Sequence, residues 1–68
     1  MLAENIKKGR KGAGMTQAEL AEAAGLTQAY ISNLERGRYG NPPVKTLGRI
    51  AAALRTSVAN LLGEAVSA

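Results

Sequence analysis

No cysteine and no histidine occur in this 68-residue chain, and phenylalanine and tryptophan are missing as well. Without cysteine there can be neither a disulfide nor a thiolate metal ligand, so the fold must rest on its core alone. The lack suits a reducing compartment such as the cytoplasm. Without histidine the chain loses the side chain most used for proton transfer near neutral pH. The acids Glu4, Glu19, Glu22, Glu35 and Glu64 show no metal-ligand clustering, so neither metal nor cofactor is expected. Ser32 and Ser57 have no histidine to activate them, and no enzyme is expected. Unbroken apolar runs are only a few residues long, far short of the roughly 20 that a membrane span needs. The expectation is a soluble, intracellular protein that does not engage a membrane.

What is present fits one small domain covering 1–68. A chain of this size hides only about 60% of its unfolded surface, so its stability should be a few kcal/mol. Nine basic residues against five acidic ones give a net charge of +4. That balance suits a polyanionic partner, since neutralising phosphates releases condensed counterions. It equally suits ordinary solubility, and charge alone does not choose. Thirteen alanines imply a thin core made by close approach of helices.

No stretch alternates with period two for long, which argues against strands. Breaks fall at Gly12 and Gly14, at Gly25, across Gly37–Pro43 and at Arg55–Ser57, dividing the chain into five short helical segments. The first runs from about Leu2 to Lys11, with Leu2, Ile6 and Ala13 on one face. Gly9 and Gly12 weaken it by about 1 kcal/mol each relative to alanine. The second opens on Thr16-Gln17-Ala18-Glu19, a capping box, and turns Leu20, Ala21 and Ala24 inward before stopping at Gly25. The third starts after Thr27 and ends before Gly37. The fourth begins around Pro42–Pro43 and carries Val44, Leu47, Ile50, Ala51 and Leu54 on an apolar face. Ser57 caps a fifth that holds Val58, Leu61 and Leu62.

Only Gly25-Leu26-Thr27 separates the second and third helices. So short a turn forces a steep crossing, and Ala21 supplies a small side chain where the helices come closest. Ile31 and Leu34 return from the third helix to the core. A small residue, a glycine and paired aliphatics in this order make a helix-turn-helix pattern over about 16–36.

The stretch from Met15 through Gly37, with Leu47-Gly48-Arg49-Ile50-Ala51-Ala52-Ala53-Leu54 beyond it, resembles the Cro/C1-type helix-turn-helix family. That family includes lambdoid phage repressors, xenobiotic-response-type regulators, restriction–modification controller proteins and some antitoxins. The resemblance implies an all-α, five-helix, lambda-repressor-like domain whose third helix enters the major groove of double-stranded DNA. It implies that Gln17 binds a backbone phosphate, and that Arg10 of the first helix pairs with Glu35. The chain departs from the family at Pro43, where serine often caps the fourth helix, and at Arg55-Thr56, where glycine and an aliphatic are usual. Gly9 and Gly12 also make its first helix unusually weak.

A helical wheel adds an independent reading. With Ile31 and Leu34 inward, Ala29, Ser32, Asn33 and Arg36 share the opposite face, and Gln28 projects from the first turn. Gln28 or Asn33 can pair with adenine N6/N7, Ala29 can touch a thymine methyl, and Arg36 suits guanine or phosphate. Arg38, Tyr39 and Lys45 flank the following loop as candidate phosphate contacts, and Tyr30 borders the reading face. For Tyr30 partial burial, and for Tyr39 packing on the loop, are equally open. The expected function is a transcriptional regulator, a repressor, binding a palindromic operator as a homodimer through Asn60, Leu61 and Leu62, with the Tyr39–Pro43 loop adjoining. The alternative is an antitoxin or adaptor that uses the same fold to hold a protein. Sixty-eight residues leave no room for a separate effector domain, so either concentration regulates the protein or the chain belongs to a longer one.

Overall fold

The computed structural model describes residues 2–40 and 42–63, and all the regular structure among them is helical. The elements are α1 (Leu2–Gly12), α2 (Gln17–Ala24), α3 (Gln28–Glu35), α4 (Val44–Ala53) and α5 (Val58–Leu62). None of these helices is long and apolar enough to cross a membrane.

Hydroxyl side chains start three of the helices. Thr16, Thr27 and Ser57 accept hydrogen bonds from the backbone N–H groups of Glu19, Tyr30 and Asn60 at 3.0, 3.1 and 3.0 Å. The Glu19 carboxylate accepts in return from the Thr16 backbone N–H at 2.8 Å, completing the capping box. Each such cap stabilises its helix by about 1 kcal/mol. α4 follows another rule. Pro43 stands at its N-cap with φ −56° and offers no side-chain bond, so the preset proline backbone starts this helix in place of a hydroxyl.

One cluster forms the core: Ile6 from α1, Leu20, Ala21 and Ala24 from α2, Ile31 and Leu34 from α3, Ile50 and Ala51 from α4, and Leu61 from α5. α2 packs on α3 and α4, and α1 packs on α3 and α5. The alanines keep α2 and α4 close, which is how a chain without phenylalanine or tryptophan fills its centre. Gly9 has a matching cause, because a Cβ there would stand 3.2 Å from Leu54 Cδ1. The glycine that weakens α1 as an isolated helix thus lets the end of α4 approach it.

Three expectations from the sequence need correction. Val44 is 74% exposed, not part of the buried face of α4. The helix begins at Val44 itself, and the inward positions are Leu47, Ile50 and Ala51, with Pro42 buried ahead of them. Ala13 is exposed, because α1 ends at Gly12 and the helical period does not carry into the turn. Leu61 is only 2% exposed, so its side chain belongs to the domain's own core and is not open to a second subunit. A five-residue helix has one inward position per turn, and Leu61 occupies it. Asn60 and Leu62 remain on the surface, and Asn60 Nδ2 donates to Thr56 Oγ1 at 3.0 Å.

The end of α4 is strained. Arg55 has φ 57°, in the left-handed region, while its N–H and that of Thr56 close the helix onto the Ala52 and Ala51 carbonyls at 3.1 and 2.8 Å. The left-handed conformation costs a residue with a Cβ about 1–2 kcal/mol. Arg55→Gly removes that cost and adds about 0.4–1 kcal/mol of unfolded-state entropy. The substitution should therefore stabilise the domain by up to about 1.5 kcal/mol, read as a higher urea midpoint at unchanged slope. A lower midpoint would show that the Arg55 side chain contributes more than its backbone forfeits.

Candidate nucleic-acid interface

The corner between α2 and α3 is built from local chemistry. Gly25 takes φ 70°, its N–H reaches the Glu22 carbonyl at 3.2 Å, and the Leu26 N–H reaches Ala21 at 2.8 Å. This paired closure satisfies carbonyls that a helix end leaves free, and glycine adopts the required φ without steric cost. Thr27 then caps α3 at once. α2 packs on α3, and Ala21 and Ala24 are buried in the core at 3% and 4% exposure. No basic residue lies in the last turn of α2. Arg49 of α4 supplies the cation, with Nη1 lying 3.9 Å from where a Gly25 Cβ would be, a favourable charge at a helix C-terminus.

Ile31 and Leu34 anchor α3 in the core, and the helix is thereby turned outward along Gln28, Ala29, Ser32, Asn33 and Arg36. Gln28, Ala29 and Arg36 are exposed, while Ser32 and Asn33 are half-buried at the edges of the face. These five side chains are brought together on one ridge. After it the chain turns at Gly37 (φ 74°), held by the Arg38 N–H on the Asn33 carbonyl at 3.0 Å. Arg38 and Lys45 are exposed. Tyr39 folds back onto Tyr30, ring centroids 4.9 Å apart and 26° from parallel. Stacking of this kind adds about 0.5–1.5 kcal/mol, here spent on ordering the loop. Tyr30 also packs against the core, and Tyr39 keeps 40% of its surface.

The only acid on α3 is removed from the ridge. Arg10 Nε donates to Glu35 Oε2 at 2.7 Å and Nη2 to Oε1 at 3.1 Å, a two-point pair whose side chains are 11% and 4% exposed. Arg10 Nη1 donates to the Met15 carbonyl at 2.9 Å, and Gln17 Nε2 donates to Glu35 Oε1 at 3.1 Å. Burial alone would push the Glu35 carboxyl up. Hydrogen bonds from Arg10 and Gln17, with the charges of Arg10 and Lys7, outweigh it and hold the carboxyl below its usual value. The bond to Glu35 raises Arg10 above the ordinary guanidinium value. α3 therefore shows no negative charge on its outward side.

Sequence reasoning missed three of these features: the bond from Gln17 to Glu35, the tyrosine stack and the placement of Arg49. Each joins residues that only the tertiary arrangement makes neighbours, and none has a local signal.

A sequence profile described as helix-turn-helix matches residues 6–61. The chain belongs to that family. Among curated relatives, the transcriptional regulator SinR of Bacillus subtilis is 41% identical over 64 residues, which are 94% of this chain and 58% of SinR. The immunity repressor protein of Bacillus phage phi105 is 43% identical over 61 residues, 90% of this chain and 42% of the repressor. The chain thus spans about half the length of these relatives. A crystal structure of SinR, the master regulator for biofilm formation, in complex with DNA superimposes with a TM-score of 0.87. It is 40% identical and the match covers 91% of this chain and 98% of the SinR chain. The five-helix, all-α arrangement is the one that the sequence resemblance implies.

The ion pair generates a stability prediction. Arg10→Met leaves a nearly buried carboxylate without its counter-charge and should cost about 3–5 kcal/mol at neutral pH. Because folding lowers the Glu35 pKa, the pair's contribution is complete above the unfolded carboxylate value of about 4.3 and fades as pH falls through the folded one. In Arg10→Met only the Gln17 hydrogen bond and the Lys7 charge still oppose burial, so the variant gains relative stability as that carboxyl protonates. The gap in urea midpoint between the two proteins should narrow as pH falls below about 5. A gap independent of pH there would rule out the pair as its source.

Proposed function

We propose that this domain is a cytoplasmic, sequence-specific DNA-binding regulator that lays α3 in the major groove of a duplex and acts as a repressor. The observation that carries the reading is the α3 ridge of Gln28, Ala29, Ser32, Asn33 and Arg36, hydrogen-bonding side chains around one methyl group, held outward by Ile31 and Leu34. A ridge without an apolar stripe suits base edges better than a partner helix. Gln28 or Asn33 pairs with adenine, Ala29 meets a thymine methyl, Ser32 follows the local base, and Arg36 takes guanine or phosphate. Gln17, Tyr30, Arg38, Tyr39 and Lys45 are assigned to backbone phosphates, which fix register without reading sequence. The SinR–DNA complex, over a match covering nearly the whole of both chains, supports this reading.

One short helix makes few base contacts, so a second domain on a half-site about 34 Å away adds specificity. Dimerisation is assigned to Asn60 and Leu62 of α5, both on the surface; the Tyr39–Pro43 loop expected to join them includes Asn41, which lies outside the described residues. A second reading, protein adaptor, is favoured by one observation. SinR is also known in a complex with SinI protein, and that SinR chain superimposes with a TM-score of 0.88 over 62% of its length.

Selection from a random duplex pool tests the first reading, which expects an enriched palindrome. Asn33→Ala should cost about 1–3 kcal/mol on that site and relax preference at one base position. Arg38→Ala or Lys45→Ala should weaken all duplexes alike and lower the slope of log affinity against log salt by about 0.9. If affinity does not depend on salt and no sequence is enriched, the adaptor reading takes its place.

A further inference from the structure

We propose that Glu35 is a positioning residue for DNA binding, orienting the Gln17 amide at the start of α2 before any duplex arrives. The proposal rests on the assignment of Gln17 to a phosphate. Gln17 is half-buried, and its Nε2 donates to Glu35 Oε1 at 3.1 Å, the oxygen that also accepts from Arg10 Nη2 at 3.1 Å. An ionised carboxylate only accepts hydrogen bonds. It therefore selects the amide's NH2 end and leaves a second N–H on the same nitrogen. Without that acceptor the amide is free to flip and present its carbonyl, which a phosphate oxygen repels. Glutamine is rotamer-rich, and a side chain already held in the free protein loses little freedom on binding.

Arg10, Gln17 and Glu35 come from α1, α2 and α3, so the contact that closes the bundle and the contact offered to the backbone share one oxygen. Glu35 does not reach the surface ridge. Its influence on DNA passes through Gln17.

The test uses the full chain and a short random-sequence duplex at low salt, since a phosphate contact acts on any sequence. Arg10→Met with Glu35→Met replaces the pair by apolar groups, an exchange that keeps such folds stable, and it removes the acceptor for Gln17. The double variant should bind about two- to tenfold more weakly per domain. Gln17→Ala should lose the same factor, and adding it to the double variant should cost nothing more. Wild-type affinity in the double variant, or additive losses in the triple, overturns the proposal. If the double variant does not fold, relaxation of the Gln17 side-chain 15N amide in the wild-type protein decides. Greater order than the exposed Gln28 amide supports the proposal, and equal mobility overturns it. A wild-type chain with no affinity for duplex defeats the functional reading, whereas the amide measurement still reports on the orientation.

Discussion

The geometry of the domain depends on a carboxylate held at the meeting point of three helices. Glu35 stands at the end of α3, Arg10 reaches it from α1, and Gln17 reaches it from the first turn of α2. A chain of this size has only a few kcal/mol of net stability, and a stranded buried charge costs a comparable amount. The pair therefore acts less as added stability than as a condition on the arrangement. Any packing that separates α1 from α3 leaves Glu35 without its counter-charge, and any that moves α2 away removes the Gln17 hydrogen bond. Apolar burial draws the helices together, and this pair restricts them to one relative placement.

The same node explains why α3 can be both anchored and available. Its inward positions are filled by Ile31 and Leu34, its acid is neutralised from behind, and its C-terminus is closed by the turn at Gly37. What remains outward is uncharged or cationic. The left-handed glycine at position 25 does the corresponding work at the other end, since it sets the angle at which α2 hands over to α3.

Features written within a few residues were legible in the sequence. The capping box at Thr16–Glu19, the Thr27 and Ser57 caps and the glycine corner each announce themselves over four residues or fewer, because capping and turn chemistry are local. The Arg55 departure was visible as an odd residue in a glycine place, though its positive φ was not. Periodicity misled wherever a helix stopped: it cannot tell that Ala13 lies past the end of α1 or that Val44 sits at the very start of α4. Nor could it decide the side to which a five-residue helix turns, so Leu61, expected at a dimer surface, lies inward in the fold. The bond from Gln17 to Glu35 spans 18 residues and the tyrosine stack bridges a helix and a loop. Contacts of that kind exist only once the core has formed.

The tyrosine stack also has a spectroscopic consequence. With no tryptophan in the chain, Tyr30 and Tyr39 are its only strong near-ultraviolet chromophores. Tyr39 sits at the rim beside the α3 ridge, while Tyr30 stacks on it and packs against the aliphatic core. Intrinsic emission from this protein therefore watches one edge of the molecule and the patch of interior directly beneath it.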